Sequence, residues 1–194
     1  MIIISVIIVA VIVVGATVVL TILSQRKRNE TWKQFAGEIG GEFVPGALFR
    51  SSKIQAHAGQ AAVTVDTYTV SNGDTSTTYT RMRAPLQTSD GFEFSIERKG
   101  WIGRLDKALG TKHIDVGDAD FDHDFLVRGN NEYKIQSLLL DQGLRREMQE
   151  QKSLQLAARK NELRLEVTGA VKDIDRLKAL FRLFGEMLER VGKV

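Results

Sequence analysis

One feature constrains this chain more than any other. From Ile2 to Leu23 there is no Asp, Glu, Lys, Arg, His, Asn or Gln. A helix over those 22 residues covers about 33 Å, and the hydrocarbon core of a bilayer is about 30 Å thick. Many of the residues are Ile and Val, indifferent helix formers in water. In hydrocarbon no solvent competes for the backbone, and only a helix satisfies its polar groups within a single segment. The run therefore predicts a transmembrane helix over residues 2–23, with the lipid bilayer as its partner. A cleaved signal peptide would want a basic start and small residues at a cleavage site. Met1 instead leads straight into apolar residues, and Ser24-Gln25-Arg26-Lys27-Arg28 supplies no such site.

Charge then orients the chain. Arg26, Lys27 and Arg28 follow the run directly, and the side richer in Lys and Arg stays cytoplasmic. The expected organisation is an anchor with a basic juxtamembrane stop over residues 1–28 and a cytoplasmic domain over 29–194, the amino terminus outside. The whole chain has 27 Lys+Arg against 24 Asp+Glu. Without the three stop residues the domain is neutral, which argues against a nucleic-acid partner. With no Cys, disulfides, thiolate metal sites and a Cys nucleophile are excluded.

The domain reads as α+β: an antiparallel sheet with helices on one face and a long carboxyl-terminal helix. Asn29 is placed to cap a helix whose apolar face is Trp32, Phe35, Ala36 and Ile39, ended by Gly40-Gly41. Ala61–Val70 and Thr75–Ala84 flank Asn72-Gly73, a strong hairpin signal. With those two residues as the loop, Val63 faces Met82 and Val65 faces Thr80. Asp66, Tyr68, Tyr79, Arg81 and Arg83 then share the other face. Phe92–Arg98 is expected as a third strand beside Thr75–Ala84, setting Arg83 opposite Glu93 and Tyr79 opposite Glu97. Glu132–Leu140 and Gly143–Gln151 read as short helices. Leu154–Ala158 and Leu163–Val167 read as a second hairpin around Arg159-Lys160-Asn161-Glu162. From Asp173 to Val191, Ile174, Leu177, Phe181, Phe184, Leu188 and Val191 form one apolar stripe, widened by Leu180 and Met187.

Two stretches could carry chemistry. The segment from Arg98 to Lys112 holds five basic residues and one acid, and Trp101, Ile102, Leu105 and Leu109 share a helical face. Basic residues beside a Trp and an apolar stripe suit a membrane surface or an acidic partner. The expected contact set is Arg26, Lys27, Arg28, Arg98, Lys99, Trp101, Arg104, Lys107 and Lys112. The second stretch, His113 to His123 and Asp124, is rich in carboxylates. It fails the calcium-loop pattern, because counting from Asp118 the sixth position is His123 and the twelfth is Gly129. The alternative reading is a metal-dependent hydrolase built on Asp118, Asp120, Asp122 and His123. Against it, Asp118 and Asp120 also suit a turn before Phe121. No nucleophile-elbow, Walker, dinucleotide or zinc-protease motif occurs, so no cofactor and no catalytic residue is expected.

The run IDVGDADFDHDFLVRGNNEYKIQSLL resembles a theme of bacterial membrane-anchored proteins classed as domains of unknown function. The matching positions are Phe121, Phe125, Val127, Gly129-Asn130-Asn131 and Leu138–Leu140, with TRMRAP (Thr80–Pro85) upstream. The resemblance implies no activity. It implies core roles for Phe121, Phe125 and Val127, turn-forming roles for the nearby carboxylates, and a bacterial inner membrane as the location. The expected function is a membrane-tethered, non-catalytic interaction or scaffold module that contacts anionic lipid or an acidic partner.

Overall fold

A computed structural model describes residues 25–46, 51–86, 90–100 and 113–193. The apolar run 2–23 lies outside them, and among the described residues no helix is long and apolar enough to cross a membrane. The first described element, α1, spans 25–38. Asn29 therefore sits inside a helix and does not cap one, because the helix is already running when it reaches that residue. The Asn29 side-chain oxygen instead accepts a hydrogen bond from Ser52 Oγ at 3.1 Å. The other end follows expectation: Gly40 adopts φ +66°, open to glycine at little cost.

Among the described residues eight antiparallel strands follow: β1 (Glu42–Val44), β2 (Lys53–Ala58), β3 (Ala61–Asn72), β4 (Thr75–Pro85), β5 (Phe94–Arg98), β6 (Phe125–Gly129), β7 (Gln155–Arg159) and β8 (Glu162–Thr168). They form one sheet in the order β1-β2-β3-β4-β8-β7-β5-β6. Between them run α2 (Ala119–Asp124), α3 (Glu132–Leu138) and α4 (Gln142–Gln149), and α5 (Ile174–Val191) closes the fold.

The β3–β4 hairpin forms, but in another register. Val65 faces Met82 and Asn72 faces Thr75, so the loop is Gly73-Asp74, with Gly73 at φ +63°. Glycine first in a two-residue loop is the type II′ arrangement. The register is slipped by two residues from the Asn72-Gly73 reading, and side chains alternate with period two, so every residue keeps its face. What the slip gains is pairing. Thr69 and Thr78 hydroxyls meet at 2.9 Å, Ser71 and Ser76 at 2.8 Å, and the Tyr68 and Tyr79 rings stack at 5.2 Å.

The expected three-strand meander does not form. β4 takes β8 as its second neighbour, and β5 lies between β6 and β7. Glu93 and Glu97 are therefore not opposite Arg83 and Tyr79; in register those positions face Arg164 and Thr168. The alternation of β5 places Phe94 and Ile96 correctly on the core face. Its partners are wrong because the same alternation fits any neighbour.

One sheet face is apolar and buried: Ile54, Val63, Val65, Met82, Leu163, Leu165, Leu156, Phe94, Ile96 and Val127 share a single core. The helices cover it. On α5, Leu177, Leu180, Leu183, Phe184, Met187, Leu188 and Val191 are buried, with Asp173 accepting at the N-cap from Arg176 N–H. Each such side chain contributes about 1.5–3 kcal/mol of gross burial. Helix α1 joins the same layer, with Phe35 edge-on to Phe181 at 5.9 Å and Trp32 Nε1 donating to the Val171 carbonyl at 2.9 Å.

Candidate functional site

The carboxylate-rich stretch is held by hydrogen bonds of its own. Asp118 is the N-cap of α2: its carboxylate accepts from Phe121 N–H at 3.1 Å and pairs with Arg145 at 2.8 Å. The Phe121 hydrogen bond and the Arg145 guanidinium hold its pKa below the ordinary carboxylate value. Asp120 is exposed in the first turn of α2. Asp122 accepts from the backbone N–H groups of Val116 and Gly117 at 3.0–3.2 Å. His123 is 87% exposed and contacts only Asp124 among the described residues. The four residues of the hydrolase reading do not share a centre. Among the described residues the group that does converge is His113, Asp115 and Asp122, with ligand atoms within 4.8 Å of one another. Its Asp122 oxygens already serve the turn.

The motif behind the family resemblance is architectural. Phe121 and Phe125 are fully buried and stack at 4.6 Å, and Val127 is fully buried on the edge strand β6, its carbonyl accepting from Ile114 N–H at 2.9 Å. Gly129 has no room for a side chain: a Cβ there would lie 2.4 Å from Ile135 Cδ1 and 2.7 Å from the Glu93 carbonyl oxygen. Asn130 accepts from Glu93 N–H and donates to the Gly91 carbonyl. Asn131 caps α3 by accepting from Lys134 N–H. Gly129, Asn130 and Asn131 thus build the junction of β5, β6 and α3, whereas Leu140, in the same motif, is 79% exposed.

The sheet face away from the helices is polar. Asp66 accepts two hydrogen bonds from Arg81 and one from Arg83, all at 2.9 Å. Tyr68 Oη donates to Glu166 at 2.8 Å, and Arg81 lies over the Tyr68 ring. Burial pushes the Glu166 carboxyl up despite the Tyr68 hydrogen bond, and burial together with the Glu166 charge pushes the Tyr68 phenol up. Further along, buried Glu97 accepts from Gln155 at 2.9 Å and Ser95 at 3.3 Å. The arginines are thus neutralised by Asp66 and by the carboxylates of β8, not by Glu93 or Glu97.

At the end of this face, where β4, β8, β7 and β5 terminate or begin, lies a cleft of about 110 Å³. Arg98, Lys99 and Lys152 bring positive charge to its wall, and Thr77, Tyr79, Ser153 and Thr168 bring hydroxyls. No carboxylate is among the described residues whose side chains line it. Arg98 is locked in place, donating to the Gln149 and Gln151 carbonyls at 2.7 and 3.0 Å and to Asp124 at 3.0 Å. Lys99 Nζ donates to the Asp122 carbonyl at 3.0 Å. Of the contact set expected from sequence, Arg98 and Lys99 are here, whereas Trp101, Arg104, Lys107 and Lys112 lie outside the described residues. Lys152, Thr77, Ser153 and Thr168 carried no sequence signal, being ordinary polar residues at strand ends. Arg26 and Lys27 are exposed on the first turn of α1, while burial lowers the Arg28 pKa.

The cleft has a definite position relative to α1. Asn29 touches Ser52 at the start of β2, and Gly41 packs on Ala56 near its end. Helix and strand therefore run the same way. In the β2–β3 register Ile54 faces Val65, so Ser52 is level with Thr67. From there β3 continues to Asn72, about 17 Å further toward the side from which α1 enters. Thr77, which pairs with Val70, lies about 10 Å past that level in the same direction. Hairpin tip and cleft both belong to the entry end of the domain.

No family model matches the chain, and no curated protein matches it in sequence. Among solved structures, the crystal structure of the mycobacterial trehalose monomycolate transport factor A, TtfA, aligns with a TM-score of 0.57 at 9% identity. The alignment covers 85% of this chain and 94% of that one. The likeness is one of fold. It agrees with the α+β architecture described above, an antiparallel sheet with helices that include a carboxyl-terminal one.

Proposed function

We propose that this chain is a membrane-tethered, non-catalytic interaction module, anchored through residues 2–23 and presenting its basic end to the bilayer or to an acidic partner there. The observation that carries the reading is the continuity of α1. Its first described turn holds Arg26 and Lys27 exposed, and two turns later Trp32 and Phe35 are fully buried in the core. A domain joined in this way is held at a set distance from whatever fixes residues 2–23. Such a join suits a module that works against a surface. The likeness to a protein named as a transport factor supports an accessory role in transport at a membrane, over a catalytic one.

Alkaline carbonate extraction tests the anchor: the intact chain stays with the membrane fraction, and release into the supernatant rejects the reading. Crosslinking and pull-down from solubilised membranes then identify the partner.

A further inference from the structure

We propose that the cleft between Thr77, Lys99 and Lys152 binds a phosphate oxyanion, supplied by the headgroup of a lipid in the leaflet against which the domain is tethered. The binding chemistry stands on the cleft alone; the lipid source rests on the tethering proposed above. A volume of about 110 Å³ equals the share of about four water molecules, enough for one phosphate group with its acyl-bearing remainder outside. Tetrahedral oxyanions are held by cations and hydroxyl donors arriving from several directions, and four different strands or their ends supply them here. Arg98 is a fixed wall, its guanidinium already hydrogen-bonded to the Gln149 carbonyl and ion-paired with Asp124, so the free charge comes from the two lysines. Lys99 gives one proton to the Asp122 carbonyl, which leaves two on its ammonium group. Exposed Lys152 has no carboxylate partner among the described residues. Ser153 Oγ accepts from Thr168 N–H at 2.9 Å, so its own proton is available to a ligand.

The source follows from position. The cleft opens at the entry end of the domain, on the polar sheet face, about 10 Å nearer the anchor side than the Asn29–Ser52 contact. Headgroups of the same leaflet are the anions closest to it. A tethered domain also meets them at high effective concentration, so a small site suffices.

The test uses the full chain in neutral detergent micelles, titrated by calorimetry with short-chain phosphatidic acid, short-chain phosphatidylcholine and inorganic phosphate in turn. Phosphatidic acid should bind, and Lys152→Glu should weaken it about tenfold or more. Thr168→Val, which changes no charge, should weaken it as well. Arg182→Glu, the same charge change on α5 in the helical layer, should leave affinity within about twofold. Circular dichroism melts confirm that each variant is folded. If inorganic phosphate binds as tightly as the lipid with the same Lys152 dependence, the headgroup assignment is overturned in favour of a soluble phosphate. If Lys152→Glu and Thr168→Val bind like the unaltered chain, or Arg182→Glu weakens binding equally, the cleft itself is overturned. Carbonate extraction reads the tether separately, so either proposal can fail without the other.

Discussion

Gly129 shows how much one missing side chain can decide. A methyl group there would collide with a backbone carbonyl as well as with Ile135, and the carbonyl cannot rotate away without breaking its hydrogen bond from Asn130 N–H. Gly129→Ala is expected to cost about 1–3 kcal/mol, measured by denaturant unfolding, with the loss concentrated in hydrogen exchange of β6 and α3. Glu166 makes the opposite kind of prediction. Its pKa is raised in the folded chain, so the native state holds that proton more tightly than the unfolded chain does. Its contribution favours folding below the unfolded value and is lost as pH rises through the higher folded one. Glu166→Gln should therefore gain in melting temperature, relative to the unaltered chain, as pH rises from the ordinary carboxylate range through the raised folded value. A gain that shrinks over that interval contradicts the assignment. The resemblance implied the core roles of Phe121, Phe125 and Val127, and the turn role of Asp118 was legible from its place ahead of Phe121. The contact between Gly129 and the Glu93 carbonyl was not, since it joins segments far apart in sequence.

At the scale of elements, the β3–β4 and β7–β8 hairpins were readable and their neighbours were not. The β7–β8 turn places Lys160 and Asn161 at φ +49° and +60°, the two positive values a type I′ loop requires. Asn tolerates that region, whereas Lys has no side-chain compensation for it. Lys160→Asn should raise stability by about 1 kcal/mol, visible as a higher melting temperature, because the Lys160 N–H bond to Glu93 uses only backbone. In the first hairpin the Asn-Gly signal named the turn but misplaced the loop by one residue. Hydroxyl pairs and a tyrosine stack chose between two registers that present identical faces. For β5, alternation gave the buried face, and nothing local specified β6 and β7 as its neighbours.

Across the whole molecule, α1 couples the entry point of the chain to the core. Trp32 is fully buried and hydrogen-bonded to the segment that leads into α5. Trp32→Ala should cost about 3–5 kcal/mol in the detergent-solubilised full chain and should release protection of the α1 amides in hydrogen exchange. Retained α1 protection would mean that the helix is held by other contacts. The same coupling gives the domain an entry end, and the polar cleft and the β3–β4 tip fall on it through the register of β2 with β3.

The sequence by itself determined α3, α4 and α5, the apolar face of α1, the strands β3, β4, β5, β7 and β8 with the side of each that faces inward, and the apolar run ahead of the basic cluster; β1, β2, α2 and β6, which are short, carried too little periodicity to be read. The features it determined depend on periodicity and local composition, quantities that a contiguous stretch carries whole. The tertiary structure decided the strand order, the two-residue slip, the switch of Arg81 and Arg83 to partners on β3 and β8, and the meeting of Lys99, Lys152 and Thr77 in one cleft. Those depend on which segments become neighbours, and a period-two pattern is indifferent to that choice. The selection was made by complementary cross-strand pairs and by a helical layer that covers one face at a time.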